Sequence, residues 1–272
     1  MGRRSDGYHS LESLVVFTSC GDRLTVRAAA GDAFSIRGPF GNRLPSDGEN
    51  LVLKARDAMR RGFGEMGGVA IALEKRLPVA AGIGGGSSDA AAALRALARL
   101  WGMKGSEARM QSMALDLGAD VPMCLAARPL LATGIGEILE PVDGFPSLPV
   151  VLVNPGTTVS TPEVFRVLAR RNNPPLPRLP SRLDADIIVA WLQNTRNDLE
   201  TPAAMLAPDI ADALSALRSK GAAIARMSGS GATCFGLFPT RAAADAAAGS
   251  IAAAMPSWFC VATETTAEEQ VK

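Results

Sequence analysis

Apolar residues recur along this chain with two periods, and the changes from one to the other divide it into strands and helices. Leu14-Val15-Val16-Phe17, residues 22–27 and residues 34–36 read as short strands separated by Gly and Asp turns, and residues 68–74 as a further strand. Helical spacing starts at residue 51, behind Asn50 as a candidate N-cap, and holds over 51–59. Leu94, Leu97, Ala98 and Trp101 repeat at i, i+3, i+4 and i+7, which predicts a helix over 88–101 with that stripe on a core. A second helix covers 107–117 and stops at Gly118, and 129–139 form a hairpin through Thr133-Gly134-Ile135-Gly136. Residues 149–153 are a continuous apolar run closed by Asn154-Pro155-Gly156, the expected seam between an N-terminal lobe, 1–148, and a C-terminal lobe, 149–272. Beyond it come a helix starting over 158–162, whose apolar face takes in Val164, Phe165 and Leu168, and a proline-rich loop over 172–180. Amphipathic helices over 184–192 and 209–219, strands over 222–227 and 234–238, a helix over 241–255 and a strand over 258–263 complete an α+β pattern.

One stretch belongs to neither period. Pro78-Val79-Ala80-Ala81-Gly82-Ile83-Gly84-Gly85-Gly86-Ser87-Ser88-Asp89 is almost free of side chains and runs straight into an Ala and Leu helix, with Ser87, Ser88 and Asp89 as candidate caps. A helix that starts behind a glycine loop offers unpaired N–H groups and the positive end of its dipole, a site for phosphate. A plain flexible loop before a capped helix is the competing reading. No Gly-Lys-Ser/Thr follows, which excludes a P-loop. The glycine spacing and Pro78 fit a dinucleotide fingerprint poorly, so an oxidoreductase is remote. Gly85 is expected in the φ > 0 region, where valine would abolish nucleotide binding. Pro-x-x-x-Gly-x-Gly-Gly-Gly-Ser-Ser resembles the phosphate loop of the GHMP kinases, the family of galactokinase and of homoserine, mevalonate and phosphomevalonate kinases.

Composition narrows the partners. A chain of 272 residues holds one large or two medium domains, and 47% hydrophobic against 20% charged residues is an ordinary globular balance. A formal net charge of +1 points to neither nucleic acid nor an anionic membrane. No apolar run approaches a spanning length and no signal-peptide core is visible. Cys20, Cys124, Cys234 and Cys260 are widely spaced among apolar neighbours and read as buried thiols of a reducing cytoplasm. A small-molecule substrate and a monomer or weak homodimer are expected.

Four further motifs carry candidate chemistry. Tyr8 and His9, the chain's single tyrosine and single histidine, follow the turn Asp6-Gly7 and are either a frayed terminus or a stacking face beside a hydrogen-bonding ring. Asp120, in Gly118-Ala119-Asp120-Val121-Pro122, is either a turn and cap former or a carboxylate able to orient an alcohol and take its proton. Asn197-Asp198-Leu199-Glu200 and the second glycine nest, Ser228-Gly229-Ser230-Gly231-Ala232-Thr233, complete the set; alone, the nest is a hairpin turn.

The resemblance gives these motifs roles. Gly-Arg-Arg-Ser-Asp-Gly-Tyr-His, Gly-Gly-Gly-Ser-Ser-Asp-Ala, Gly-Ala-Asp-Val-Pro and Asn-Asp-Leu-Glu are similar to the GHMP branch that uses ATP to phosphorylate the 2-hydroxyl of a cytidylylated methylerythritol, in non-mevalonate isoprenoid synthesis. It implies a GHMP kinase fold, with an N-terminal lobe like ribosomal protein S5 and a ferredoxin-like C-terminal lobe. It implies ATP along 78–88 and beside Asn50 and Leu51, with Mg²⁺ bridging the phosphates. Ser88 is then a Mg²⁺ contact or merely an N-cap, and Asn50 an adenine neighbour, a cap, or both. Asp120 is implied as catalytic, and Tyr8, His9 and Phe165 as grips on the cytosine, although pattern alone puts Phe165 in the core. The second glycine nest is implied to pack on the phosphate loop. One departure stands: family members carry an Ala-Lys-Xaa-Asn-Leu strand whose Lys pairs with the catalytic Asp, and no residue here matches it, Lys54 and Lys75 lying in other contexts. Either the true start lies upstream, or the chain is a GHMP-like nucleotide-binding protein with weak or no turnover.

Overall fold

The computed structural model describes residues 11–266 apart from Glu65. In chain order the elements are β1 (Leu11–Val15), β2 (Arg23–Ala28), β3 (Ala33–Arg37), α1 (Leu51–Phe63), β4 (Val69–Glu74), α2 (Gly85–Leu100), α3 (Glu107–Leu117), α4 (Val121–Ala126), β5 (Leu130–Gly134), β6 (Ile138–Pro141) and β7 (Pro149–Asn154). Then follow α5 (Thr161–Val167), α6 (Ala185–Gln193), α7 (Glu200–Leu206), α8 (Asp209–Ser219), β8 (Ile224–Met227), β9 (Cys234–Leu237), α9 (Arg241–Ala254) and β10 (Phe259–Glu264). The expected α+β class stands. Unpredicted were α4 and α7, which at six and seven residues are too short to show a helical period.

Two compact units emerge, one of residues 21–79 and 84–127, the other, within the described range, of 11–20, 80–83 and 128–266. In the first, β4 is central, antiparallel to β2 and parallel to β3. Val69, Ile71 and Leu73 on alternate positions of β4 are buried, the period a half-covered strand requires. Helix α2 packs on α1, α4 and β2. Its buried stripe includes Ala90, Ala93, Leu94 and Leu97, and each leucine contributes roughly 1.5–3 kcal/mol by leaving water. Trp101, expected on that stripe, is only half-buried, with Arg60 stacked 5.9 Å from its ring.

The second unit holds an antiparallel sheet in the order β10-β7-β9-β8. The sequence order β7-α8-β8-β9-α9-β10 gives it the split-βαβ, ferredoxin-like topology. Val151 and Val153 of β7 join one buried cluster with residues of α8 and α9, whereas Val150 and Leu152 join another with Ile188 of α6. Burial on both faces is why 149–153 read as an unbroken apolar run. The second cluster also takes in Val142, Phe145 and Leu148. The seam expected at 148/149 therefore falls inside this unit, because the hairpin of β5 and β6 and the segment after it are buried with β7. Val164 is fully buried, as the apolar face requires, whereas Phe165, which pattern alone puts in the core, is only half-buried.

Candidate active site

In the first unit the site is built around the start of α2. Gly84 precedes the helix in the left-handed region at φ 65°, a conformation glycine adopts without steric cost. The helix begins at Gly85, and no side chain caps it. Ser87, Ser88 and Asp89 therefore lie inside the first turns instead of serving as the expected caps, and the first N–H groups are left for another acceptor. Gly85 is not among the positive-φ residues; these are Gly82, Gly84 and Ala80 in this stretch. What limits Gly85 is space, since a Cβ there would stand 3.3 Å from Lys75 Nζ. Ser88 Oγ donates to Cys124 Sγ of α4 at 3.4 Å.

Beneath the helix start lies a buried charge cluster that the sequence did not reveal. Lys75 Nζ donates to Asp22 Oδ2 at 2.5 Å and to Asp89 Oδ2 at 2.8 Å. Burial pushes the Asp89 carboxyl up to about 7, against the pull of Lys75 and with the help of Asp22's negative charge. In sequence Lys75 lies outside the context of the family's Ala-Lys-Xaa-Asn-Leu strand, and nothing local marks it as buried, although lysine is almost never fully buried unless paired.

Asn50 caps α1 as expected: its Oδ1 accepts from Val52 N at 3.0 Å, and its Nδ2 donates to Pro45 O at 2.8 Å. Leu51 opens that helix 3.6 Å from where a Cβ on Gly86 would stand. Asp120 occupies the position before α4, yet its side chain makes no cap bond. It is solvent-exposed, and partial desolvation raises its carboxyl above the ordinary value. Among the described residues its carboxylate makes no hydrogen bond. Cys124, beside the loop, is inert, because burial pushes its thiol up to about 11.

In the second unit Ala81 and Gly82 pack on the second glycine nest. Thr233 N donates to Ala81 O at 3.1 Å, and Ser228 Oγ to Gly82 O at 3.1 Å. A Cβ on Gly82 would lie 2.3 Å from the carbonyl oxygen of Gly231, so two backbones meet here and only glycine fits. Asn197-Asp198-Leu199-Glu200 acquires a role in this nest. Asn197 Nδ2 donates to Met227 O at 2.9 Å and to Gly229 O at 2.8 Å, while Glu200 Oε2 accepts from Met227 N at 2.8 Å. Thr161 and Ser230 share a hydroxyl hydrogen bond of 2.7 Å at the head of α5, the helix that carries Phe165. Tyr8 and His9 lie outside the described residues.

The first unit carries a helix opened by glycine and the exposed carboxylate of Asp120, and the second a glycine nest bonded to Ala81 and Gly82, on the α+β scaffold of a small-molecule kinase. Residues 50–128 match the sequence model of the GHMP kinases N terminal domain and residues 184–257 that of the GHMP kinases C terminal domain, and the chain belongs to the GHMP kinases. It is 53% identical to the 4-diphosphocytidyl-2-C-methyl-D-erythritol kinase of Mesorhizobium japonicum over 98% of this chain and 92% of that one. A crystal structure of 4-(cytidine 5'-diphospho)-2C-methyl-D-erythritol kinase superposes with a TM-score of 0.79 at 35% identity, covering 97% of this chain and 93% of that one. The homoserine kinase of Cytophaga hutchinsonii, at 20% identity and a TM-score of 0.67 over 94% of each chain, shares the fold. The alternative of a GHMP-like binder without turnover is not favoured by these likenesses.

Proposed function

We propose that this chain transfers the γ-phosphoryl group of ATP to the 2-hydroxyl of 4-diphosphocytidyl-2-C-methyl-D-erythritol, a step of the non-mevalonate isoprenoid route. The observation that carries the reading is the 53% identity to a kinase of that name along nearly the whole of both chains. Phosphoryl transfer asks mainly for positioning and charge compensation. The N–H groups of residues 82–88, running into the start of α2, hold the phosphates, and the helix dipole offsets their charge. Asn50 and Leu51 flank the adenine. Asp120 orients the 2-hydroxyl and accepts its proton. Tyr8, His9 and Phe165 hold the cytosine.

Mg²⁺ would come with the nucleotide, since no group of three or more His, Cys, Asp or Glu among the described residues is placed to hold an ion. The protein donor that fits it is the hydroxyl of Ser88, the kind of hard oxygen ligand magnesium takes. Bound there, it would supply charge neutralisation to the phosphates. No described helix is long and apolar enough to cross a membrane. A monomer or weak homodimer in the cytoplasm completes the reading.

The test is a coupled assay of ADP release from ATP with the cytidylylated methylerythritol, homoserine or mevalonate as acceptor, with ³¹P NMR of the product. Turnover on the cytidylylated acceptor, with a new 2-phosphate signal, is expected. Faster turnover on homoserine or mevalonate would overturn the assignment.

A further inference from the structure

We propose that Asp22, Lys75 and Asp89 form a buried ionic clip that joins the two feet of the glycine loop, and that they are positioning residues for its phosphate-binding N–H groups. The inference rests on the reading of that loop as the ATP site.

The geometry starts from Asp22, the residue before β2. One oxygen, Oδ1, accepts the backbone N–H groups of Arg76 at 2.6 Å and Leu77 at 2.9 Å, the two residues that lead into Pro78 and the loop. The other, Oδ2, takes Lys75 Nζ. Lys75 follows β4 directly, and its backbone is itself fixed: its N–H donates to Arg37 O at 2.7 Å, and its carbonyl accepts from Phe40 N at 3.3 Å. The ammonium then crosses to Asp89, in the second turn of α2, where the chain leaves the loop. Both feet, 76–77 and 89, are thus bonded to one carboxylate–ammonium–carboxylate chain.

Lysine near a phosphate loop ordinarily suggests a phosphate ligand. Here the Lys75 side chain is 2% exposed, and those of Asp22 and Asp89 are 4% and 8%. Its ammonium is committed to two carboxylates, so it acts on the loop through the backbone rather than on the nucleotide. Nor does such a cluster serve stability best. Apolar side chains of similar volume commonly match or exceed a buried ion pair, whereas bonded charges fix direction and distance. Gly85 belongs to the same design, because the ammonium stands 3.3 Å from where its Cβ would be.

Lys75→Met would leave two buried carboxylates without a cation and endanger folding, so the test uses Asp89. Asp89→Leu cuts the link at the outgoing foot and leaves Lys75 with Asp22 as a neutral pair; Asp89→Asn removes the same charge but keeps an acceptor for Lys75. ATP dissociation constants are measured by calorimetry below the melting temperature of all three proteins, and hydrogen exchange of amides 84–88 is followed without nucleotide, with amides 107–117 as reference. The clip requires a Kd about tenfold higher and faster exchange at 84–88 in Asp89→Leu, with Asp89→Asn within about twofold of the unaltered protein. Asp89→Leu behaving like the unaltered protein would overturn it, and so would Asp89→Asn being as impaired as Asp89→Leu, which would assign the effect to charge. If the unaltered protein bound no ATP, the kinase reading would fail, and the exchange comparison would still decide the clip.

Discussion

At the scale of single residues, Asp120 and Gly82 show opposite kinds of constraint. Asp120 is exposed and makes no cap bond, so no hydrogen bond among the described residues depends on its charge. Asp120→Asn is expected to leave the melting temperature unchanged and to lower kcat by about 10²–10⁴-fold at nearly constant KM for both substrates. Steady-state kinetics beside a thermal scan check it, and a fully active variant would remove Asp120 from the chemistry. Gly82 has no such freedom, since an added methyl would overlap the Gly231 backbone at a φ of 72°. Asp32 gives a third, pH-dependent case. Its carboxylate accepts two bonds from Arg60, at 2.5 and 2.8 Å, and lies 3.1 Å from Arg56, both on α1. The bonds from Arg60 lead in lowering its pKa to about 2, although burial opposes them. A carboxyl whose folded pKa is depressed stabilises above its unfolded value, near 4, and loses that contribution as pH falls toward 2. Urea midpoints should therefore fall between pH 4 and pH 2 in the unaltered protein, with a smaller drop in Asp32→Asn.

Among the elements, the connection between α6 and α7 matters out of proportion to its size. Its Asn197, with Glu200 at the head of α7, bonds the backbone of Met227 at the end of β8 and of Gly229 in the second glycine nest, whose Ser228 then bonds Gly82. Asn197→Ala strips Met227 O and Gly229 O of their side-chain donor, a loss of roughly 1–3 kcal/mol where such groups are shielded from water. The expected outcome is a several-fold rise in KM for ATP with a smaller change for the acceptor, measured by initial rates with each substrate varied in turn. Equal increases in both KM values would show that the nest does not act through the phosphate loop.

For the molecule as a whole, a nucleotide that binds only the folded chain must stabilise it. With free ATP at about one hundred times its Kd, the gain is about 2.7 kcal/mol, or a rise of about 5 °C in a chain of this size. Differential scanning calorimetry with ATP and Mg²⁺ checks it, and Gly82→Val should abolish the rise. An unshifted transition in the unaltered protein would contradict the nucleotide reading. Substrate choice is a separate matter, because homoserine kinase has the same fold, and a fold does not select an acceptor.

What the sequence determined by itself was what is written locally. Periods of 2 and 3.6 are consequences of side-chain direction in strands and helices, so β4, α3 and α8 were legible in place and α2 but for its start. Glycine and Asn-cap chemistry are equally local, which is why the glycine loop ahead of α2 and the Asn50 cap could be read from neighbouring residues. Tertiary structure decided everything that depends on partners distant in sequence. Lys75 matched no motif, and its role depends on Asp22 and Asp89, 53 and 14 positions away, being folded onto it. Asn197 was a motif without a function until Met227 and Gly229 came within hydrogen-bond reach. Ser87 and Ser88 looked like caps because their residue type favours that position, but the left-handed turn at Gly84 started the helix before them. The division into units also escaped the reading, since it depends on which core buries the β5–β6 hairpin. Hydrophobic pattern specifies which face is buried; only the packed chain specifies against what.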